Sequence, residues 1–192
     1  IFELRPVVNE LNFECATAPD IIDIAIQVQP EWACIVPEKR TELTTEGGLQ
    51  LAGNNHHLQS TIQKLQAHGI NVSLFINPNP NDVEIAKTLN ANGIELHTGT
   101  YALSENPPLE LNAIKTCAAL GQSMELKVQA GHGLNYHNIR HIAAISEIEE
   151  VNIGHSIICR AVEVGLITAV QEMKALLDTP NIGTKHTGAS SN

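Results

Sequence analysis

Six short runs of β-forming residues recur along the chain with helical stretches between them: LNFECA (11–16), WACIV (32–36), INVSLFI (70–76), GIELH (93–97), MELKVQA (124–130) and EVNIG (150–154). The intervening segments carry apolar residues at three- and four-residue spacing, as in Leu58, Ile62 and Leu65 or Ile114, Cys117 and Ala118. A strand–helix repeat of this kind predicts a parallel α/β sheet, either open and doubly wound or closed into a barrel. Asp20, Asn81 and Ser104 are the expected helix starts, and Gly69, Gly93 and Gly121 the expected stops.

Alternation within the strands separates the two architectures. Strands covered by helices on both faces are almost wholly apolar. Here one set of alternate positions is polar, including Asn12, Glu14, Ser73, Glu95, His97, Lys127, Gln129 and Asn152. The other set, including Phe13, Val72, Leu74, Ile94, Leu96 and Val128, is apolar and predicted to face helices. A polar inner face is expected of a (β/α)8 TIM barrel whose active site lies at the C-terminal mouth of the strands. Such a barrel takes about 250 residues, and six βα units in 192 residues leave it about two units short. The chain opens on Ile1 with IFELRPVVNELNFEC, which reads as though already inside a helix, so the absent units are expected at the front. Residues 1–178 are expected to form one partial barrel domain, and the small, polar stretch 179–192 a disordered tail.

The charge balance excludes some partners. With 21 acidic against 11 basic residues and no basic stripe, neither nucleic acid nor an anionic membrane surface is an expected partner. Cys15, Cys34, Cys117 and Cys159 lie far apart without a C-x-x-C, three of them inside apolar runs, which fits buried thiols in a reducing cytoplasm. No apolar run approaches the roughly 20 residues of a membrane-spanning helix.

Chemistry is expected at the strand ends. Glu14 closes the first strand on its polar side, and Glu95 and His97 in GIELHTG place a carboxylate beside an imidazole, a pairing suited to general acid–base work. The segment VPEKRTELTTEGGLQLAGNN, after the second strand, is long for a βα loop and reads as a lid, with Thr44, Thr45 and Lys39 able to contact a ligand. In AGHG, Gly131 and Gly133 let backbone approach a ligand around His132. In NIGHS, Gly154 and His155 open a helix whose free N–H groups and dipole favour a phosphate. The competing readings are tight turns for the glycines and a solvated insertion for the long loop. His137 and His141 stand four apart on a helix, but the glutamate of H-E-x-x-H is missing, so no metal is expected. Lys127 leaves open a Schiff-base lysine, against an ion pair with a neighbouring glutamate.

Taken together, IVPEKR-x-E-x-TTEGGL, ELHTG-x-Y, KVQAGHGLNYHN and NIGHSII-x-RAV, in this order, closely resemble the pyridoxine 5′-phosphate synthases, from about Leu11 to Leu177. The resemblance implies a cytosolic (β/α)8 barrel assembled into homo-octamers, without metal or organic cofactor. Such an enzyme condenses 1-deoxy-D-xylulose 5-phosphate with 3-amino-2-oxopropyl phosphate to pyridoxine 5′-phosphate, phosphate and water. It further implies that Glu14 accepts protons and His132 donates them, that Thr44 contacts the deoxyxylulose phosphate, and that Gly133, Gly154 and His155 hold the amino-ketone phosphate. The family's Asn-x-Asp-His segment, and the histidine and arginines of its second strand, have no counterpart in the 192 residues. Two rival readings stand beside it: another phosphate-binding barrel, such as a Schiff-base aldolase using Lys127, or an inactive fragment.

Overall fold

A computed structural model describes residues 1–37, 47–53 and 55–178. A 3-10 turn at Arg5–Val7 leads into six strands, β1 (Asn12–Cys15), β2 (Trp32–Ile35), β3 (Asn71–Ile76), β4 (Gly93–His97), β5 (Lys127–Gly131) and β6 (Glu150–Asn152). All pair in parallel and in chain order, so every connection returns to the adjacent strand. The connections contain α1 (Pro19–Val28), α2 (His56–Gln66), α3 (Pro80–Thr88), α4 (Gly99–Leu103), α5 (Pro107–Ser123) and α6 (Ile139–Ala143), and α7 (His155–Val164) and α8 (Leu166–Leu177) follow β6.

The sheet curls strongly. Six flat strands about 4.8 Å apart would separate β1 from β6 by roughly 24 Å. Instead the Asn12 side-chain amide on β1 lies 3.5 Å from Glu150 Oε1 on β6, so residues of the two edge strands meet across the concave face. The alternation that predicts a polar interior is seen here: Ser73, Glu95, His97 and Gln129 are buried on that face. Ile35, Val72, Leu74, Ile94, Leu96 and Val128 form the core beneath the helices. On α2, Leu58, Ile62 and Leu65 are buried at the predicted spacing, each side chain of this size contributing about 1.5–3 kcal/mol by leaving water. Cys15, Cys34 and Cys117 are buried free thiols, and Cys159 is exposed.

Several boundaries differ from the sequence expectation. Proline at the first helical position starts α1 and α3, and Asn79 caps α3 by accepting from the Asn81 N–H at 3.0 Å. Ser104 lies outside α5 and accepts instead from the Asn106 amide, while Pro107 begins the helix. Gly93 stops no helix: it is the first residue of β4, and Asn90, at φ 63°, turns the chain after α3. Gly121 stays inside α5, because a Cβ there would lie 3.0 Å from both Ile94 Cδ1 and Val128 Cγ2; the glycine lets the helix sit close on the sheet. The segment around 99–103, unassigned from the sequence, is α4. The fifth strand begins at Lys127, three residues later than expected, since Glu125 at φ 60° makes the turn out of α5.

Candidate active site

The C-terminal ends of the strands surround a cleft of about 1060 Å³. Glu14, Glu95, His132, Gly133, Gly154 and His155 all line it. These come from β1, β4, the turn after β5 and the start of α7, so the curl of the sheet gathers side chains up to 141 positions apart. Phe75, Asn152 and Ser156 line it as well, and none of the three was singled out as a site residue from the sequence. For Asn152 the signal was its place in the polar alternation; Phe75 and Ser156 left none. Thr44, with Lys39 and Thr45, lies outside the described residues.

Glu95 is the chemically unusual group. It is 3% exposed, and burial first, then the negative charge of Glu14, pushes its carboxyl up to about 7. Its Oε2 accepts from the Asn152 side-chain amide at 2.8 Å and from the Cys34 thiol at 3.3 Å. Burial holds that thiol well above its ordinary range, so it serves Glu95 as a neutral donor. Gly131 makes room, because a Cβ there would collide with Glu95 Oε1. Glu14, by contrast, is exposed at the cleft wall. Two carboxylates in one cleft, one solvated and one buried, are the arrangement that separates a base from an acid near neutral pH.

His132 stands in the turn after β5 at φ 78°, a backbone conformation rare for residues with a Cβ. His97, at the end of β4, does not line the cleft but stacks behind His132, with ring centroids 4.8 Å apart. Gly154 opens α7 with no side-chain cap, so the helix presents its first N–H groups beside His155 at the cleft. The long loop is anchored on its far side: the Gly48 N–H donates to Asn77 Oδ1 at 3.0 Å and the Leu49 N–H to the Phe75 carbonyl at 2.8 Å. A Cβ at Gly48 would lie 2.6 Å from the Asn77 nitrogen, so only glycine passes there.

The family profile described as "Pyridoxal phosphate biosynthesis protein PdxJ" matches residues 1–179. Similar proteins include the pyridoxine 5′-phosphate synthases of Thermodesulfovibrio yellowstonii, 49% identical over 91% of this chain and 73% of the relative, and of Rhodopirellula baltica, 46% identical over 91% of this chain and 72% of the relative. The chain belongs to the pyridoxine 5′-phosphate synthase family. It spans somewhat under three quarters of the length of these synthases. Among solved structures, a mandelate oxidase superposes with TM-score 0.61 at 12% identity over 91% of this chain and 58% of that one. A 4-hydroxy-2-oxoglutarate aldolase superposes with TM-score 0.54 at 16% identity over 85% and 68%. At such identity these show a shared fold alone.

Lys127 does not line the cleft. It sits at the opposite end of β5 from His132, its Nζ 3.0 Å from Glu150 Oε2 and 4.9 Å above the Trp32 ring. The ion-pair reading therefore replaces the Schiff-base one. His137 and His141 are both exposed, and no metal-binding group of three ligands exists among the described residues. No described helix is long and apolar enough to cross a membrane.

Proposed function

We propose that this chain carries the ring-closing step of its family, joining 1-deoxy-D-xylulose 5-phosphate to 3-amino-2-oxopropyl phosphate to give pyridoxine 5′-phosphate, phosphate and water. The observation that carries the reading is the single cleft shared by Glu14, Glu95, His132, Gly133, Gly154 and His155. The uncapped start of α7 receives the amino-ketone phosphate on the backbone N–H groups at Gly154 and His155, with Gly133 closing from the other side. The substrate amine then attacks the ketone of its partner, so the imine forms between substrates and no lysine is needed. Glu14, solvated and facing the cleft, removes protons; His132 delivers one to the departing oxygen. Glu95, titrating near neutrality, holds or releases a proton beside both. Thr44 contacts the deoxyxylulose phosphate. Two further βα units bridging β1 and β6 would complete a (β/α)8 barrel, in a cytosolic octamer that uses no cofactor.

The test is turnover: the protein is incubated with both substrates, and phosphate and pyridoxine 5′-phosphate are measured. Product that requires both substrates, and falls at least a hundredfold in Glu14→Gln and in His132→Gln, supports the assignments. Full activity in Glu14→Gln removes that residue from the mechanism. A second reading, ligand binding without turnover, is favoured by the outer edges of β1 and β6, which pair with no further strand among the described residues. Phosphate binding to the chain with no product identifies it.

A further inference from the structure

The turn that carries His132 is built from outside itself. β4 ends at His97, and the next two residues, Thr98 and Gly99, lead into α4 beside that turn. Thr98 is fully buried. Its N–H donates to the Gly131 carbonyl at 2.8 Å, and its hydroxyl lies 2.8 Å from the same oxygen and 2.6 Å from the His132 carbonyl. One side chain thus reaches two successive carbonyls that flank the strained φ of 78° at His132. The ring is fixed too. His97 stacks on His132 at 4.8 Å between centroids with planes 31° apart, and Phe75 meets the His97 ring edge-on at 5.3 Å. Gly99 leaves space for both imidazoles: a Cβ there would lie 2.6 Å from His97 Cε1 and 2.9 Å from His132 Cδ2. Gly133, at φ 78°, packs as closely on α4, where a Cβ would meet that of Ala102 at 2.8 Å.

We infer that Thr98 is a positioning residue for His132, fixing its backbone through the carbonyls of 131 and 132 while the His97 ring backs the imidazole. This rests on His132 being the proton donor of the cleft. A donor must stand within hydrogen-bond reach of the atom it serves, and a misplacement of about 1 Å can cost a hundredfold in rate. Left alone, a non-glycine residue drifts from the left-handed region toward the extended or helical ones. The hydroxyl opposes that drift because the His132 carbonyl would leave its donor behind.

The experiment compares Thr98→Val, which keeps shape but removes the hydroxyl, with Thr98→Ser, which keeps the hydroxyl, and His97→Leu with His97→Phe, which keeps a ring. In protein labelled at histidine, the His132 ring resonance, assigned through His132→Gln, should shift in Thr98→Val and His97→Leu. In Thr98→Ser it should stay near its original position, and in His97→Phe kcat should stay closer to that of the unaltered protein than in His97→Leu. Turnover should fall about ten- to a hundredfold in kcat for Thr98→Val, with KM changing less than twofold. An unmoved His132 resonance in a folded Thr98→Val protein overturns the inference, as does a Thr98→Ser variant perturbed equally. If His132→Gln retains turnover, the proton-donor reading fails by itself, and the resonance shifts still decide whether Thr98 positions the ring.

Discussion

Strand β4 is buried at every residue, whereas β6, two strands away, has no fully buried residue, and α7 beyond it buries none of its side chains. The sequence patterns of the two regions are alike: α7 has Ile158 and Val162 four apart, as α2 has Leu58 and Ile62. On α2 those positions are covered; on α7, Ile158 and Val162 are 58% and 85% exposed. The difference lies in neighbours. β4 has a strand on each side and helices packed over it, while β6 pairs on one side only among the described residues. An apolar stripe is a requirement for a partner, and what it contributes to stability depends on whether the partner is there.

That contrast can be broken by substitution. Ile62→Ala, in the covered region, should cost about 2–5 kcal/mol in urea unfolding, because it leaves a cavity beneath α2. A cost below 1 kcal/mol would mean that the centre is as loosely held as the edge. Next comes pH. The Glu95 carboxyl titrates at about 7 in the folded protein against about 4.5 in its ordinary environment. The folded state therefore binds the extra proton between those values. The stability this gives is complete below pH 4.5 and is lost as pH rises through 7, by about 3 kcal/mol. Glu95→Gln should flatten this part of the stability profile measured by denaturant melts from pH 5 to 8.5; an unchanged slope would assign the dependence to other groups.

Smaller effects sharpen the picture. Gln129 is fully buried on the concave face, with neither side-chain amide atom hydrogen-bonded among the described residues. Gln129→Met should raise stability by about 1 kcal/mol, since it relieves an unsatisfied polar group at similar volume. A loss instead would show that the amide has a partner in solution. Smallest of all, Val162→Ser on the exposed face of α7 should change the unfolding free energy by less than about 0.5 kcal/mol. A large loss there would show that α7 is covered in solution.

Much of the site was legible in residue order. Glu14, Glu95, His132, Gly133, Gly154 and His155 announce themselves as polar strand ends or glycine-flanked turns, and one cleft contains them all. The errors share a cause. Gly93 and Gly121 were expected to stop helices because glycine does so locally. In the structure, Gly93 keeps a Cβ away from the Lys127 carbonyl, at 2.7 Å, and Gly121 lets α5 approach Ile94 and Val128. Lys127 left two readings open until Trp32 and Glu150 were found around it. Thr98 carried no local signal of its own and Asn152 only its place in the polar alternation, since what they do lies in atoms they meet 34 and 57 positions away.

By itself, then, the sequence determined the order of strands and helices, which face of each strand is polar, and which end of the sheet gathers the candidate site residues. Those follow from periodicities of two and 3.6 residues and from glycine and histidine at strand ends, all of them local properties of the chain. Tertiary structure alone decided that the sheet curls until Asn12 reaches Glu150, that Glu95 is buried enough to titrate near neutrality, and that His132 is held by Thr98 and His97. Each depends on distance and dielectric between residues remote in sequence, which come into being only when the strands stand side by side.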